Sequence, residues 1–486
     1  MTNLPPPKSR IHLIGIGGTG LSNIAHYLSS RGYKITGSEL QHNPATDWLK
    51  SESIRIFHGH KASNISPDAK LVIKSAAVKD DNPEIREAMR RRIPIIKYAQ
   101  ALGLLMGEKT GIAVSGTHGK TTTTSLISYL LAKAKLSPSF MVGGVLRDFE
   151  SGSIFGKGRH FVAEACEYDR SFHHLPAKIR IITNIEPDHM DYYKTWKNLV
   201  ESFHQFIAAA SADGYVIANI TSPGVRECLR KKINAQVITF GAKPFRSPKG
   251  VGWYPKNIRV INDRWHFEAW KDGPPPLRSR SFGRAKDGRK YGDFVNFLPG
   301  EHNILNAIVA IIVADLLRIN KSVIRKALAA FKGVHRRFEI VGRAKGRLVV
   351  DDYGHHPTEL KTVVDTAREL FPKRRRWLIF QPHLYSRTKL FLNDFAKVLS
   401  GGEIVLIPPI YAARDVTPSQ RVTSSEELVR RIIHYGGRAK YMSDFSSTVK
   451  YLKDNTIPCD VIITIGAGDV WEIGREFVNQ INHKGH

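Results

Sequence analysis

The sequence predicts an α/β protein of three successive domains, and three observations predict it. Short apolar runs alternate with amphipathic, helix-like stretches in three separate series along the chain, the signature of parallel strands joined by crossover helices. Two of those series open on a glycine-rich turn set between a strand and a helix. And 486 residues exceed what one hydrophobic core serves, while 42% hydrophobic and 24% charged residues are ordinary for a globular chain.

In the first series, IHLIGIGG is followed by the helix-like LSNIAHYLSSRG, then by YKITGSEL and KLVIKSAAV. Its turn, Gly15-Ile16-Gly17-Gly18-Thr19-Gly20, lets a backbone approach a pyrophosphate, and Glu39 lies near the distance at which an acid meets a ribose in dinucleotide folds. The contact could be to NAD, FAD or a UDP-sugar; equally, the glycines could serve tight strand-helix packing.

The second series starts near Gly111, where GIAVSG runs into GKTTTTSLISYLLAKAK, and continues through FVAEA, RIITNI and YVIAN. At its head stands Ser115-Gly116-Thr117-His118-Gly119-Lys120-Thr121-Thr122. Glycines admit phosphate, helix-start amides face it, Lys120 neutralises it and the Thr121 hydroxyl can ligate Mg²⁺. The loop is shorter than the generic phosphate loop, because Val114 stands where the first Gly of GxxxxGK[ST] would fall. Glu164, Glu167, Asp188, His189 and Asp191 follow apolar strands, the edge where open α/β sheets bind ligands. Beside a phosphate loop such groups suit Mg²⁺; helix caps and surface carboxylates are the alternative reading.

Between about Lys243 and Pro299 the texture turns to Gly, Pro, Arg and isolated aromatics, readable as antiparallel strands or as an inserted flap. A long apolar helix pattern, NILNAIVAIIVADLLRI, precedes the third series, which comprises KGRLVVDDY, RWLIFQPH, GEIVLIPPIY and CDVIITIGAGD. Two polar clusters lie at its front, Arg336-Arg337-Phe338-Glu339 and Asp351-Asp352-Tyr353-Gly354-His355-His356-Pro357. Arg can hold a transferring phosphate and a strand-end Asp a ribose, whereas adjacent histidines point different ways and suit hydrogen bonding better than a shared metal.

The charge is +29, from 73 Lys and Arg against 44 Asp and Glu. It gathers at Arg230 to Lys232, Arg278 to Lys290 and Lys373 to Arg376 with little aromatic interleaving, so solvated basic loops are expected rather than a nucleic-acid site. The start MTNLPPPKSR has no apolar signal core and no run is long enough to span a membrane, which predicts a cytoplasmic protein. Cys166, Cys228 and Cys459 are far apart and predict reduced thiols.

Taken in order, GIGGTGLS, GTHGKTTTT, EACEYDRSF, TNIEPDHMDYY, GEHNILNA, HRRFE, DDYGHHPTE, QPHLYSRT and GAGD resemble the Mur ligases from about Ile11 to Asp469, and the later blocks look like the alanine-adding branch. The resemblance implies a Rossmann-like UDP-binding domain (1–108), a central P-loop ATPase domain (109–332) and a Rossmann-like C-terminal α/β domain (333–486) that closes over ATP and brings the amino acid. It implies ATP-dependent ligation of L-alanine to the lactyl carboxylate of UDP-N-acetylmuramate through an acyl phosphate, in peptidoglycan precursor synthesis, by a monomer or homodimer. Gly17, Gly18 and Gly20 would then meet the UDP pyrophosphate. ATP would contact Gly116 to Thr122, with Lys120 on its β- and γ-phosphates, His302 and Asn303 on its adenine, and Arg337 and Asp352 on phosphate and ribose. Thr121, Glu164 and His189 would hold Mg²⁺, Lys120, His189 and Arg337 would serve catalysis, and Tyr353, His355, His383 and Arg387 would form the alanine pocket. Leu384 departs from the branch, which usually carries Arg there. The alternatives are the related ligase that attaches a recycled tripeptide to the same nucleotide sugar, a basic P-loop ATPase acting on nucleic acid, and a nicotinamide oxidoreductase using the first glycine turn.

Overall fold

The computed structural model describes residues 3–245, 250–262, 264–272, 288–412, 417, 419 and 421–482. Their strands form three sheets, and each of the three sequence series supplies one. The first has five parallel strands, β1 (Arg10–Ile14), β2 (Lys34–Glu39), β3 (Arg55–His58), β4 (Ala69–Lys74) and β5 (Ile95–Lys97), in the order β3-β2-β1-β4-β5. Chain order reverses at β1, so the turn that follows it opens into the crevice where such sheets bind ligands.

The second sheet comprises β6 (Thr110–Ser115), β7 (Ser139–Leu146), β8 (Ser151–Phe155), β9 (His160–Glu164), β10 (Ala177–Ile182), β11 (Tyr215–Asn219), β12 (Gln236–Phe240), β13 (Val251–Ile261), β14 (Arg264–Asp272) and β15 (Arg289–Asn296). Their order is β15-β14-β13-β12-β11-β10-β6-β9-β7-β8, so β6, which leads into the phosphate loop, lies between β10 and β9 at a second reversal point. Of the segment near Lys243 to Pro299, residues 246–249, 263 and 273–287 lie outside the described residues, and β14 and β15 are the antiparallel strands that one of its two readings expects. β13 continues the parallel sheet beside β12, and β14 and β15 extend it as an antiparallel pair whose inner face carries Trp265, Phe267 and Phe294.

The third sheet is made of β16 (Glu339–Ala344), β17 (Arg347–Asp352), β18 (Arg376–Phe380), β19 (Ile404–Ile407), β20 (Arg438–Tyr441) and β21 (Val461–Ile465), in the order β16-β17-β21-β18-β19-β20. It is parallel except for the edge strand β16. β21 is buried throughout, which its unbroken run VIITI demands.

The described residues divide into two compact units. The first runs to Lys332 and contains the first two sheets; the second starts at Gly333 and contains the third, together with the short segments 262–264 and 298–300. In the first unit one apolar core is continuous between the two sheets, from Ile11, Leu13 and Ile73 through Leu102, Leu105 and Met106 to Phe161 and Ala163. The helix Tyr98–Gly107 carries the middle of it, and Gly103 gives the closeness, since a Cβ there would collide with the His174 carbonyl.

No helix among the described residues is long and apolar enough to cross a membrane. All three cysteines are free. Arg230 to Lys232 are solvent-exposed, and in the Lys373 to Arg376 stretch Arg375 pairs with Asp460 and Arg376 with Glu403. Both arrangements are those of solvated or internally compensated charge. Residues 278–287 of the third basic stretch lie outside the described residues.

Candidate functional site

The phosphate loop owes its shape to two glycines. Gly116 has φ 135° and sits against Thr183 and Asn184, so a Cβ there would strike the Thr183 hydroxyl. Gly119 has φ 80° and is the N-cap of the helix Lys120–Lys133. Both conformations favour glycine. Asn184 then clamps the loop: its carbonyl accepts the Thr117 N–H at 3.1 Å, its Oδ1 the His118 N–H at 2.8 Å, and its Nδ2 donates to the His118 carbonyl at 3.0 Å. With those amides engaged, the groups facing a phosphate are the first-turn amides of the helix, which have no intrahelical acceptor.

Lys120 Nζ donates to the carbonyls of Gly116 (2.5 Å) and Thr117 (3.0 Å) and to Glu167 Oε1 (3.0 Å). Burial works against its charge, but neighbouring negative charge, Glu167 foremost, outweighs it and holds the ammonium above its ordinary pKa. The next residue, Thr121, donates its hydroxyl to Glu164 Oε2 at 2.9 Å, and the same oxygen accepts the Gly143 N–H at 3.0 Å. Thr122 is buried behind them.

A second acidic group adjoins Lys120. Ligand atoms of Glu167, Asp188 and His189 lie within 4.8 Å of one another. Glu167 is 1% exposed and its Oε2 is buried without a hydrogen-bond partner. His189, at φ 53°, caps the short helix Met190–Tyr193, whose Tyr193 hydroxyl donates to the Glu167 carbonyl at 2.5 Å. An unpartnered buried carboxylate oxygen beside an imidazole, with a hydroxyl–carboxylate pair formed where the adjoining helix meets the end of β9, suits a hard divalent cation. Of the expected ligands, the structure joins Thr121 to Glu164 and groups His189 with Glu167 and Asp188. The side chain of Asp191 lies outside the described residues.

His302 is exposed at the start of the helix Glu301–Leu316, and Asn303 is buried. Asn303 Oδ1 accepts from Asn306 Nδ2 at 3.0 Å, and Asn306 Oδ1 accepts the Thr123 hydroxyl at 3.0 Å. Asn306 thereby couples Asn303, one of the two expected adenine residues, to the phosphate-loop helix.

The glycines of the first turn divide their duties. Packing explains two of them: a Cβ on Gly17 would meet Asn43 Nδ2 at 2.6 Å and Glu39 Oε2 at 2.8 Å, and one on Gly20 would meet the Tyr98 ring at 2.6 Å. Gly18 is exposed and faces nothing nearer than the Gly15 carbonyl at 3.5 Å. Glu39 accepts the N–H groups of Gly17 (2.9 Å) and Leu40 (2.8 Å), so both its oxygens are engaged by backbone.

In the second unit the expected residues gather where β17, β18 and β21 end. Asp352 accepts the N–H of Gly354 at 2.7 Å and of Phe338 at 2.8 Å; burial nonetheless pushes its pKa up to about 6, against the opposing pull of Arg337. Arg336 is tied to Asp351 (3.1 Å) and the Gly466 carbonyl (2.5 Å), while the Arg337 guanidinium lies 5.2 Å from the centre of the Tyr353 ring. The Tyr353 and His355 rings meet edge-on at 5.5 Å, and His355 and His383 are 5.7 Å apart. Arg387 Nη1 donates to His383 Nδ1 at 3.2 Å, which leaves the other ring nitrogen, Nε2, to carry the proton of the neutral imidazole. The paired histidines do diverge: His356 caps the helix Pro357–Leu370 through Nδ1, with Glu359 completing the box. Leu384 is buried at 4% exposure with φ 68°, so it offers the site no counterpart of a charged side chain.

Sequence reasoning did not single out Asn184 or Asn306 as structural members of the loop. The second Asn of GEHNILNA, three residues after the first on one helix face, was the available signal.

Residues 10–110 match the Mur ligase family, catalytic domain, residues 114–314 the Mur ligase middle domain, and residues 336–468 the Mur ligase, glutamate ligase domain. The chain belongs to the Mur ligase family. Within it, the chain is 38% identical over 472 residues to the UDP-N-acetylmuramate--L-alanine ligase of Caldanaerobacter subterraneus subsp. tengcongensis, covering 97% of each chain. It is 37% identical to the enzyme of the same name from Aquifex aeolicus, covering 97% of this chain and 98% of that one. Among solved structures, the UDP-N-acetylmuramate-alanine ligase of Thermotoga maritima superposes with a TM-score of 0.79 at 27% identity, covering 98% of this chain and 99% of that one. A murein peptide ligase from Psychrobacter arcticus shares the fold, with a TM-score of 0.66 at 23% identity, covering 98% and 99% of the two chains.

Proposed function

We propose that this chain joins L-alanine to the lactyl carboxylate of UDP-N-acetylmuramate at the expense of ATP, a step of peptidoglycan precursor synthesis. What carries the reading is the pair of contacts Lys120–Glu167 and Thr121–Glu164 at the start of one helix, in a chain similar end to end to ligases of that name.

The first step is phosphoryl transfer. A carboxylate oxygen of the sugar nucleotide attacks the γ-phosphorus of ATP, the bond to ADP breaks, and an acyl phosphate results. Lys120 neutralises charge on the β- and γ-phosphate oxygens, first-turn amides including those of Thr121 and Thr122 face them, and Gly116 to Gly119 keep the loop backbone open to them. Thr121, Glu164 and His189, with Glu167 and Asp188 beside them, would hold Mg²⁺, which when bound would offset charge on the phosphate oxygens. His302 and Asn303 meet the adenine, and Arg337 and Asp352 contact phosphate and ribose. Gly17, Gly18 and Gly20 form the turn that takes the UDP pyrophosphate, Gly18 through its open edge.

In the second step the alanine amine, deprotonated, attacks the acyl carbonyl. The tetrahedral adduct loses the extra proton on nitrogen, to solvent or to the departing phosphate, and expels phosphate to leave the amide, so no covalent bond to the protein is needed. Tyr353, His355, His383 and Arg387 hold the amino acid, with Arg387 supplying positive charge for its carboxylate. In this reading residues 1–108, 109–332 and 333–486 serve UDP-sugar, ATP and amino acid respectively, and the protein works in the cytoplasm as a monomer or homodimer.

The test is phosphate release from ATP and Mg²⁺ with UDP-N-acetylmuramate, comparing alanine, glycine, serine and the recycled tripeptide, with Lys120→Ala as control. Release that requires both the sugar nucleotide and alanine is the expected result. A preference for tripeptide would assign the chain to the recycling branch, and release driven by DNA or RNA alone would overturn the reading.

A further inference from the structure

Tyr411 stands outside the residues assigned above, yet it is built into the same edge of the third sheet. Its N–H donates to the Pro382 carbonyl at 2.9 Å, and its carbonyl accepts the Leu384 N–H at 2.9 Å, so the chain beyond β19 is laced to both sides of His383. The Tyr411 ring stacks on the His383 imidazole with centroids 5.6 Å apart and planes 18° from parallel. Gly468, just beyond β21, leaves room for this seat and for Gln381: a Cβ there would collide with Gln381 Oε1 and lie 2.7 Å from Tyr411 Cγ and 2.8 Å from Cδ2. Leu384 adopts a left-handed backbone to complete the lacing, a conformation that a γ-branched residue holds only when its surroundings impose it.

The imidazole of His383 is therefore held on two sides by different chemistry. Arg387 fixes its edge by a hydrogen bond to Nδ1, and Tyr411 fixes its plane. We propose that Tyr411 is a positioning residue of the amino-acid site, setting the plane in which His383 meets the incoming amino acid. The proposal rests on the assignment of His383 and Arg387 to that site. An aromatic stack sets ring orientation at little entropic cost, because both partners are already confined by backbone pairing. The hydroxyl has no part in this, and 38% of the residue faces solvent, so the ring alone should matter.

The experiment measures steady-state phosphate release by the full chain with ATP, Mg²⁺ and UDP-N-acetylmuramate while alanine is varied. Tyr411→Ala should raise KM for alanine roughly three- to tenfold, and so should Gly468→Ala, whose Cβ would crowd both the Tyr411 ring and Gln381 Oε1. KM for ATP and for the sugar nucleotide should stay within about twofold, since a lost stack of this size acts only on the group it orients. Tyr411→Phe should behave as the unmodified chain. Where Tyr411→Ala fails to fold by thermal melting, Tyr411→Leu keeps the bulk and removes the stack. An unchanged alanine KM in the ring-less variants overturns the proposal, as does a Phe variant as impaired as the Ala variant, or equal rises in all three KM values. If the unmodified chain shows no alanine-dependent release, the underlying assignment fails and the proposal with it, an outcome visible before any variant is made.

Discussion

Glu167 Oε1 receives the ammonium of Lys120 at 3.0 Å, and the other oxygen of the same carboxylate is buried with no hydrogen-bond partner. A carboxylate so placed counters the lysine with one oxygen and leaves the other for a ligand. Removing it strands a buried cation, and breaking such a pair costs about 3 kcal/mol or more. Glu167→Ala should therefore lower the denaturation midpoint and cut ATP-dependent phosphate release. Thermal melting and turnover on one preparation check this, and a variant with unchanged stability would show the pair to be dispensable.

The hydroxyl–carboxylate pair of Thr121 and Glu164 is a separate part of the proposed metal site. Thr121→Val preserves shape and removes only the oxygen that Glu164 accepts from. The Mg²⁺ concentration for half-maximal phosphate release should rise roughly ten- to hundredfold, the usual effect of losing a metal-site partner. Glu164→Gln should shift it in the same direction. A Mg²⁺ titration at saturating ATP reads the effect, and an unshifted curve in both variants removes them from the metal site.

Asn306 lies behind the loop, receiving the Thr123 hydroxyl and donating to Asn303. Asn306→Ala takes one buried hydrogen bond from each of Thr123 and Asn303, which costs about 1–3 kcal/mol. Because Asn303 then loses its anchor, KM for ATP should rise while KM for alanine holds. Calorimetric unfolding and ATP-dependence kinetics test the two halves independently.

Asp352 gives a pH dependence with a definite sign. Its pKa is raised by burial from 3.8 to about 6, so the folded chain binds this proton more tightly than the unfolded chain. Stability relative to a non-titrating variant therefore falls as pH rises from about 4 to about 6, and the loss is complete above that window. Asp352→Asn also disturbs the bonds from Gly354 and Phe338, so its absolute stability is not the readout. The measured quantity is the difference in denaturation midpoint between variant and unmodified chain, which should move in favour of the variant between pH 4.5 and pH 7. A difference that is flat across that range contradicts the raised pKa.

Much of this protein was legible in its amino acids because the signals are local. A strand of buried β-branched residues, a glycine needing φ 80° before Lys120, and a hydroxyl following that lysine are each specified within a few residues. The three α/β series, the phosphate loop and the order of the polar blocks were readable for that reason. Less legible were the glycines of the first turn, where sequence left packing and ligand contact as alternatives. The structure adds the packing side of it: Tyr98 and Asn43 crowd Gly20 and Gly17 while Gly18 stays open.

Local sequence sets the kind of sheet, the places where the chain must turn at glycine, and the polar residue types that stand at the strand ends. Which of those groups meet depends on how the strands are ordered in space. Lys120 and Glu167 are 47 residues apart, Thr123 and Asn306 are 183 apart, and His383 and Tyr411 come together only because β19 lies beside β18. Pairings of that separation depend on strand order and on burial that leaves one partner within reach, and neither quantity is encoded in any short stretch of residues.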